Sequence, residues 1–147
     1  MWISTRAQYG MRALVEIAQN GDKPLSLKVV SERQKISYDY LEQLIAVLRK
    51  HGYLISTRGA YGGYRVSKPL DQITSLEIVE LLEGGLSPVD CIENGQACYF
   101  SGSCSTEPLW HEIDLAVRKV LSSTTLADLV AKKELIELEN LPQQFSN

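Results

Sequence analysis

The stretch Asp90–Cys104, DCIENGQACYFSGSC, holds all three cysteines of a 147-residue chain. Cys91, Cys98 and Cys104 are separated by six and then five residues, among glycines and polar side chains. A structural disulfide would leave one thiol over. A closed zinc site needs a fourth strong ligand, and the chain has two histidines. The spacings are also wider than the CxxC knuckles of zinc sites. A wide loop containing glycine can wrap a larger object such as a two-iron cluster, which thiolates hold well. The same thiols, without metal, could serve as a disulfide or persulfide switch.

A fourth donor must come from nearby. Glu107, three residues past Cys104, offers a carboxylate oxygen, although an acid in a first helical turn is also favoured by the helix dipole alone. His111 follows one turn later on the same face and is the second choice. His51 sits at a helix end beside Lys50, where the dipole stabilises a partly charged imidazole, and it needs no further role. Neither histidine is near a plausible nucleophile in sequence, and no phosphate loop or metalloprotease motif is present, so an enzyme is not expected.

Composition limits the setting. A chain of this length, 44% hydrophobic, can bury one good core. The opening MWISTRAQYG has no apolar stretch of signal-peptide length, and no run approaches a membrane span. The expectation is a cytoplasmic protein, where thiols stay reduced and clustered cysteines are metal ligands or sensors rather than staples. Net charge is −3, but it is unevenly spread. Residues 1–70 carry eleven Lys/Arg against five Asp/Glu, a net +6; residues 71–147 carry four against thirteen, a net −9. The first half therefore suits an anionic partner.

The elements of that half say which partner. Ser4 can cap a helix over Thr5–Gln19 with Ala7, Met11, Leu14 and Ala18 on one face. LSLKVVSERQ is a second short helix capped by Ser26, KIS is a tight turn, and Ser37 caps a third helix, YDYLEQLIAVLRKHG. There Leu41, Leu44, Ile45 and Leu48 fall at i, i+3, i+4 and i+7, a core stripe. Two helices joined by a turn in this way form a helix-turn-helix. Outside the stripe, near the N-terminus of the third helix, lie Ser37, Tyr38, Asp39, Tyr40, Glu42 and Gln43, able to reach bases and phosphates of double-stranded DNA.

Next, Leu54–Thr57 and Tyr64–Ser67 read as two strands joined by a glycine-rich turn, a β-hairpin wing. Arg58, Gly59, Tyr61, Gly62 and Arg65 lie on it. Glycines let such a tip enter a minor groove, where arginine is drawn by the negative potential. Pro69 and Asp71 end this unit, so residues 1–70 are expected to be a winged helix-turn-helix DNA-binding domain. Residues 71–147 should hold the cysteine loop at 91–104 and the dimerisation helices. TSLEIVELLEGG is a helix capped by Thr74 or Ser75. Ser105-Thr106-Glu107-Pro108 starts a long one to about Leu121, carrying Leu109, Trp110, Ile113, Val117, Val120 and Leu121, a stripe suited to self-pairing. Thr125 caps a last helix, LADLVAKKEL, and LPQQFSN trails off. The fold class is mainly α with a small β-hairpin wing.

In ERQKISYDYLEQL with LRKHG, in TRGAYGGYRV and in the three-cysteine loop ending in LW, the chain resembles the IscR-type family of small bacterial winged-helix repressors, which also contains NsrR. The likeness runs to about residue 135. It implies a homodimer, a 2Fe–2S cluster on Cys91, Cys98 and Cys104 received from the iron–sulfur assembly machinery, and operator binding by paired winged helices. The function so implied is transcription regulation responsive to the cluster, with control of cluster-biogenesis genes; the alternative is a thiol-based redox-sensing repressor without metal. The sequence departs from that family in the wing, which has Ala60 and Tyr61, and at two ligand positions. Where IscR-type proteins put a histidine three residues after the last cysteine, this chain has Glu107. Where other members take an acidic ligand from the partner's first helix, it has Gln8. The resemblance also implies that Glu42 separates two classes of operator.

Overall fold

The computed structural model describes residues 3–93 and 98–142. Its elements follow local signals. Helix α1, Thr5–Gln19, starts where the Ser4 hydroxyl accepts from the Ala7 amide. Helix α2, Leu27–Gln34, is capped in the same way by Ser26, and α3, Tyr38–Lys50, by Ser37. Between α2 and α3 the turn is three residues long. Lys35 takes the left-handed conformation at φ 55°, Ile36 drops into the core, and Ser37 opens the next helix.

Strands β1, Leu54–Thr57, and β2, Gly63–Val66, pair antiparallel with Thr57 opposite Gly63. The second strand thus begins one residue earlier than expected. Gly63 explains this: at φ 154° its backbone lies against Leu25, and a Cβ there would stand 2.3 Å from the Leu25 carbonyl oxygen. Only glycine fits. Leu25 and Tyr64 exchange two backbone hydrogen bonds of 2.9 Å, so the hairpin is fastened to the segment entering α2. The wing is therefore hydrogen-bonded directly to the helix-turn-helix.

After a 3₁₀ turn at Leu70–Gln72 comes α4, Ser75–Glu83, whose Thr74 and Glu77 cap it reciprocally. A one-turn helix, α5, Asp90–Glu93, leads into the cysteine segment. Helix α6 spans Glu107–Ser123, and α7, Leu126–Glu139, carries on beyond the Leu135 limit read from sequence. The last residues of the trailing segment, 143–147, lie outside the described residues.

One hydrophobic cluster holds these elements. Leu14 and Ile17 of α1, Leu41, Leu44, Ile45 and Leu48 of α3, Ile73, Ile78 and Leu82 around α4, and Leu126 and Val130 of α7 all belong to it. Helix α1 is its centre, packing against α2, α3, β2, α4 and α7. On α6, in contrast, Leu109, Ile113, Leu115 and Val120 are exposed. Its main contacts among the described residues are with α4, and Arg118 of α6 pairs with Glu80 of α4 and, within its own helix, with Asp114 at 2.9 Å.

Candidate DNA interface and cysteine cavity

Burying Leu41, Leu44, Ile45 and Leu48 turns the opposite face of α3 to solvent. Ser37, Tyr38, Asp39, Glu42 and Gln43 are exposed there as expected. Tyr40 is only half-buried rather than free: its ring meets Tyr9 of α1 edge-on, with centroids 6.1 Å apart. Side chains in a helix lean toward the preceding turn, which carries Tyr40 back onto α1. Arg12 lies over the other ring of this pair, 5.4 Å from the Tyr9 centroid, and its guanidinium also bonds the Gln34 side chain and backbone at the end of α2. So α1 touches both helices of the helix-turn-helix through polar and aromatic contacts that the periodicity did not reveal.

On the wing, Arg58, Gly59 and Tyr61 are exposed, while Gly62 and Arg65 are half-buried. The Gly62 amide donates to the Gly59 carbonyl at 3.0 Å and closes the tip. A Cβ on Gly62 would lie 2.2 Å from the Thr57 carbonyl oxygen, so the turn is built around its absence. The exposed face of α3 and the wing tip are two polar or cationic projections that DNA grooves can take up.

The cysteines form the other candidate site. Cys91 lies in α5 and Cys104 just ahead of α6; Cys98 follows the stretch 94–97, which is outside the described residues. Cys91, Cys98, Cys104, Glu107 and His111, with Ile92 and Ser101, line one cavity of about 270 Å³. Both fourth-donor candidates are therefore present, and they face each other: His111 Nε2 is 3.7 Å from Glu107 Oε1, one helical turn away. Among the described residues, no three His, Cys, Asp or Glu side chains converge closely enough to hold a single metal ion in this conformation. The donor types fit a thiolate-bound cluster, while their spacing leaves the loop open around the cavity.

Thr106 stands at the N-terminus of α6 without a side-chain capping hydrogen bond. Its hydroxyl instead lies 3.2 Å from the Cys104 sulfur, and that contact, with backbone N–H donors at Thr106 and Glu107, holds the Cys104 thiol below its ordinary value. A lowered thiol is a thiolate over more of the physiological range, the form that binds metal or attacks a disulfide.

The end of α4 is hydrogen-bonded to the start of α1 in the DNA-binding half. Glu83, at the end of α4, accepts from the Ser4 amide at 2.8 Å and the Ser4 hydroxyl at 2.7 Å, and Arg6 donates to the Leu82 carbonyl at 3.0 Å. The same C-terminal end of α4, with Glu80 and Leu81, also lines a second cavity together with Ile92 and Glu93 of α5 and Asp114 and Arg118 of α6. Further along α1, Glu16 is 2% exposed yet charged, bonded by Arg33 at 2.9 Å and Gln34 at 2.6 Å from α2 and by Lys133 at 2.8 Å from α7. Burial alone would raise its pKa, but these donors outweigh burial and hold it below the ordinary carboxylate value. No sequence signal marked this residue, because its partners are far away in the chain.

Residues 3–132 match the Rrf2 family, described as iron-dependent transcriptional regulators. Protein rrf2 of Nitratidesulfovibrio vulgaris is 41% identical over 136 residues, which cover 92% of this chain and 91% of that one. The structure of CymR, the global cysteine regulator of B. subtilis, aligns with a TM-score of 0.78 at 40% identity, covering 90% of this chain and 98% of its own. T. potens IscR aligns with a TM-score of 0.75 at 34% identity, covering 100% and 93%. Among the described residues no helix is long and apolar enough to cross a membrane. A helix-turn-helix fastened to a wing is thus shared with regulators over nearly the whole chain, and the chain belongs to the Rrf2 family of winged-helix, DNA-binding transcription regulators, not to an enzyme family.

Proposed function

We propose that this regulator is a repressor whose operator affinity or choice responds to a 2Fe–2S cluster held by Cys91, Cys98 and Cys104. The observation that carries this is the single cavity lined by all three thiols together with Glu107 and His111. Thiolates at the three cysteines would hold the cluster, with Glu107 as the fourth ligand and His111 as the second choice. When bound, the cluster supplies a redox- and supply-sensitive centre whose stability depends on its ligands. The iron–sulfur assembly machinery would deliver it, and cluster-biogenesis genes would be the targets.

The chain's own residues do the rest. A cluster on Cys91, Cys98 and Cys104 would act on the DNA face through the end of α4, which bonds Ser4 at the start of α1; α1 in turn touches Tyr40 and the end of α2. Ser37, Tyr38, Asp39, Glu42 and Gln43 would face the major groove, and Arg58, Gly59, Tyr61, Gly62 and Arg65 the backbone and minor groove. Glu42 is repelled by phosphates and helps only by accepting from a cytosine amino group, so it selects against other sequences. Two copies, joined through the exposed stripe of α6 and an apolar groove lined by Ala7, Met11, Val15, Val79 and Leu121, would place two half-sites one DNA turn apart. Residues 1–70 act as the DNA-binding unit and 71–147 as the sensing and pairing unit in this reading.

A second reading, a thiol switch without metal, is favoured by the likeness to CymR, of which the Staphylococcus aureus protein has a crystal structure in an oxidized form. Cys98 is exposed and open to oxidants. Single Cys→Ala variants at 91, 98 and 104 separate the readings. Loss of the visible charge-transfer bands of anaerobically reconstituted protein in each variant supports the cluster, with Glu107→Ala altering spectrum or lifetime more than His111→Ala. Three variants with full, stable spectra would remove it.

A further inference from the structure

Tyr61, in the turn between the two strands of the wing, is 95% exposed. It is not there because the tip is loose. Gly59 at φ 114° and the Gly62–Gly59 hydrogen bond fold the turn, and the collision a Gly62 Cβ would make with Thr57 fixes its path. Gly63, pressed on Leu25, anchors the base. A large ring is thus held away from the protein on a stiff support. The segment from Tyr53 to Lys68 contains no acidic residue, and Arg58, three residues before Tyr61, is exposed in the same turn. An exposed aromatic ring in an acid-free, arginine-bearing turn matches the chemistry of a minor groove. Sugar walls there are apolar, and A·T pairs leave the floor without a protruding group, while a G·C pair adds the guanine 2-amino group.

We propose that Tyr61 is a specificity-determining residue: its ring packs into the minor groove at the outer flank of each half-site and excludes guanine there. The inference rests on the minor-groove placement of the wing proposed above. Arg58 contributes affinity through groove potential, whereas Tyr61 contributes discrimination through the space its ring needs.

The test uses the full chain and a palindromic duplex recovered by it from a random pool. The A·T pairs under the wing are replaced by G·C, then by inosine·C, which keeps the major-groove face of G·C but lacks the 2-amino group. Wild-type protein should lose roughly tenfold in affinity on G·C, within the range of one mismatched pair, and recover most of it on inosine·C. Tyr61→Ala should bind both duplexes within about threefold of each other, a difference well below that range. Tyr61→Phe, which keeps the ring, should discriminate like wild type. Retained discrimination in Tyr61→Ala, lost discrimination in Tyr61→Phe, or failure of inosine to restore binding would each overturn the proposal. Arg58→Ala distinguishes the two levels. If it weakens binding while Tyr61→Ala changes nothing, this inference fails alone; if neither variant has an effect, the wing is not in the groove and the placement itself fails.

Discussion

Replacing Lys133 by alanine should destabilise the protein although the residue is far from both the DNA face and the cysteines. Its ammonium lies 2.8 Å from Glu16, a carboxylate only 2% exposed, and 3.0 Å from Glu137. Arg33 and Gln34 remain as partners of Glu16 in the variant, and the Lys133 bonds to Glu137 and Gln19 go to more exposed partners, so the main loss is the charged hydrogen bond to buried Glu16, about 1.5–3 kcal/mol, rather than the larger cost of an isolated buried charge. At roughly 2–4 °C per kcal/mol for a chain of this size, Tm should fall by about 3–12 °C at neutral pH. The pH dependence follows from both partners. Burial would raise Glu16, but its donors hold it below 4.5, so its contribution is present above 4.5 and is lost as pH falls through the lower folded value. Burial would lower Lys133, but Glu16 and Glu137 hold it above 10.5, so its contribution is present below 10.5 and is lost as pH rises through the higher folded value. Thermal unfolding followed by circular dichroism at fixed protein concentration, at pH 7 and pH 3.5, measures this. Wild type and Lys133→Ala should differ less at the acid pH. A double-mutant cycle with Glu16→Gln should be strongly non-additive. A loss below about 0.5 kcal/mol at pH 7, the noise of ordinary surface substitutions, or an additive cycle, would refute the claim that the network couples α1, α2 and α7.

Gly63→Ala should release the wing from Leu25 and weaken DNA binding more than it lowers Tm, since a Cβ there meets backbone rather than a movable side chain; gel-shift titration beside circular dichroism checks it. Arg58→Ala should weaken binding to every operator by about 1–3 kcal/mol, seen by fluorescence anisotropy. Glu42→Ala should let cluster-free protein bind operators that otherwise require the loaded form, measured by titrating both. Val120→Asp on the exposed face of α6 should leave a folded monomer at micromolar concentration, detected by analytical ultracentrifugation.

Much of the scaffold was legible because the signals are local. The Ser37 cap and the spacing of Leu41, Leu44, Ile45 and Leu48 define α3 without reference to anything else. The wing was legible from its glycines, but not that Leu25 would pair with Tyr64 and pull the strand start to Gly63. Glu16 shows why the rest was hidden: as a charged residue on an amphipathic helix it reads as solvated, and only the tertiary approach of Arg33 and Lys133 makes burial tolerable. The Thr106 hydroxyl meets the Cys104 sulfur instead of capping α6, a contact between neighbours that spacing rules do not contain. At the cysteine site, the shared placement of Glu107 and His111 followed from their i, i+4 relation, whereas α5 was too short to show any periodicity.

That Cys91, Cys98 and Cys104 hold a 2Fe–2S cluster which governs DNA binding is tested most directly by one paired measurement on anaerobically reconstituted protein. Visible and EPR spectra are recorded on the same samples whose operator affinity is titrated with and without cluster. Charge-transfer bands, an EPR signal on one-electron reduction, and an affinity change of roughly 5–150-fold between the two forms are predicted, the usual span of allosteric coupling. Protein that takes up no cluster, yet changes affinity on oxidation of its thiols, would contradict the claim and assign the loop to disulfide chemistry.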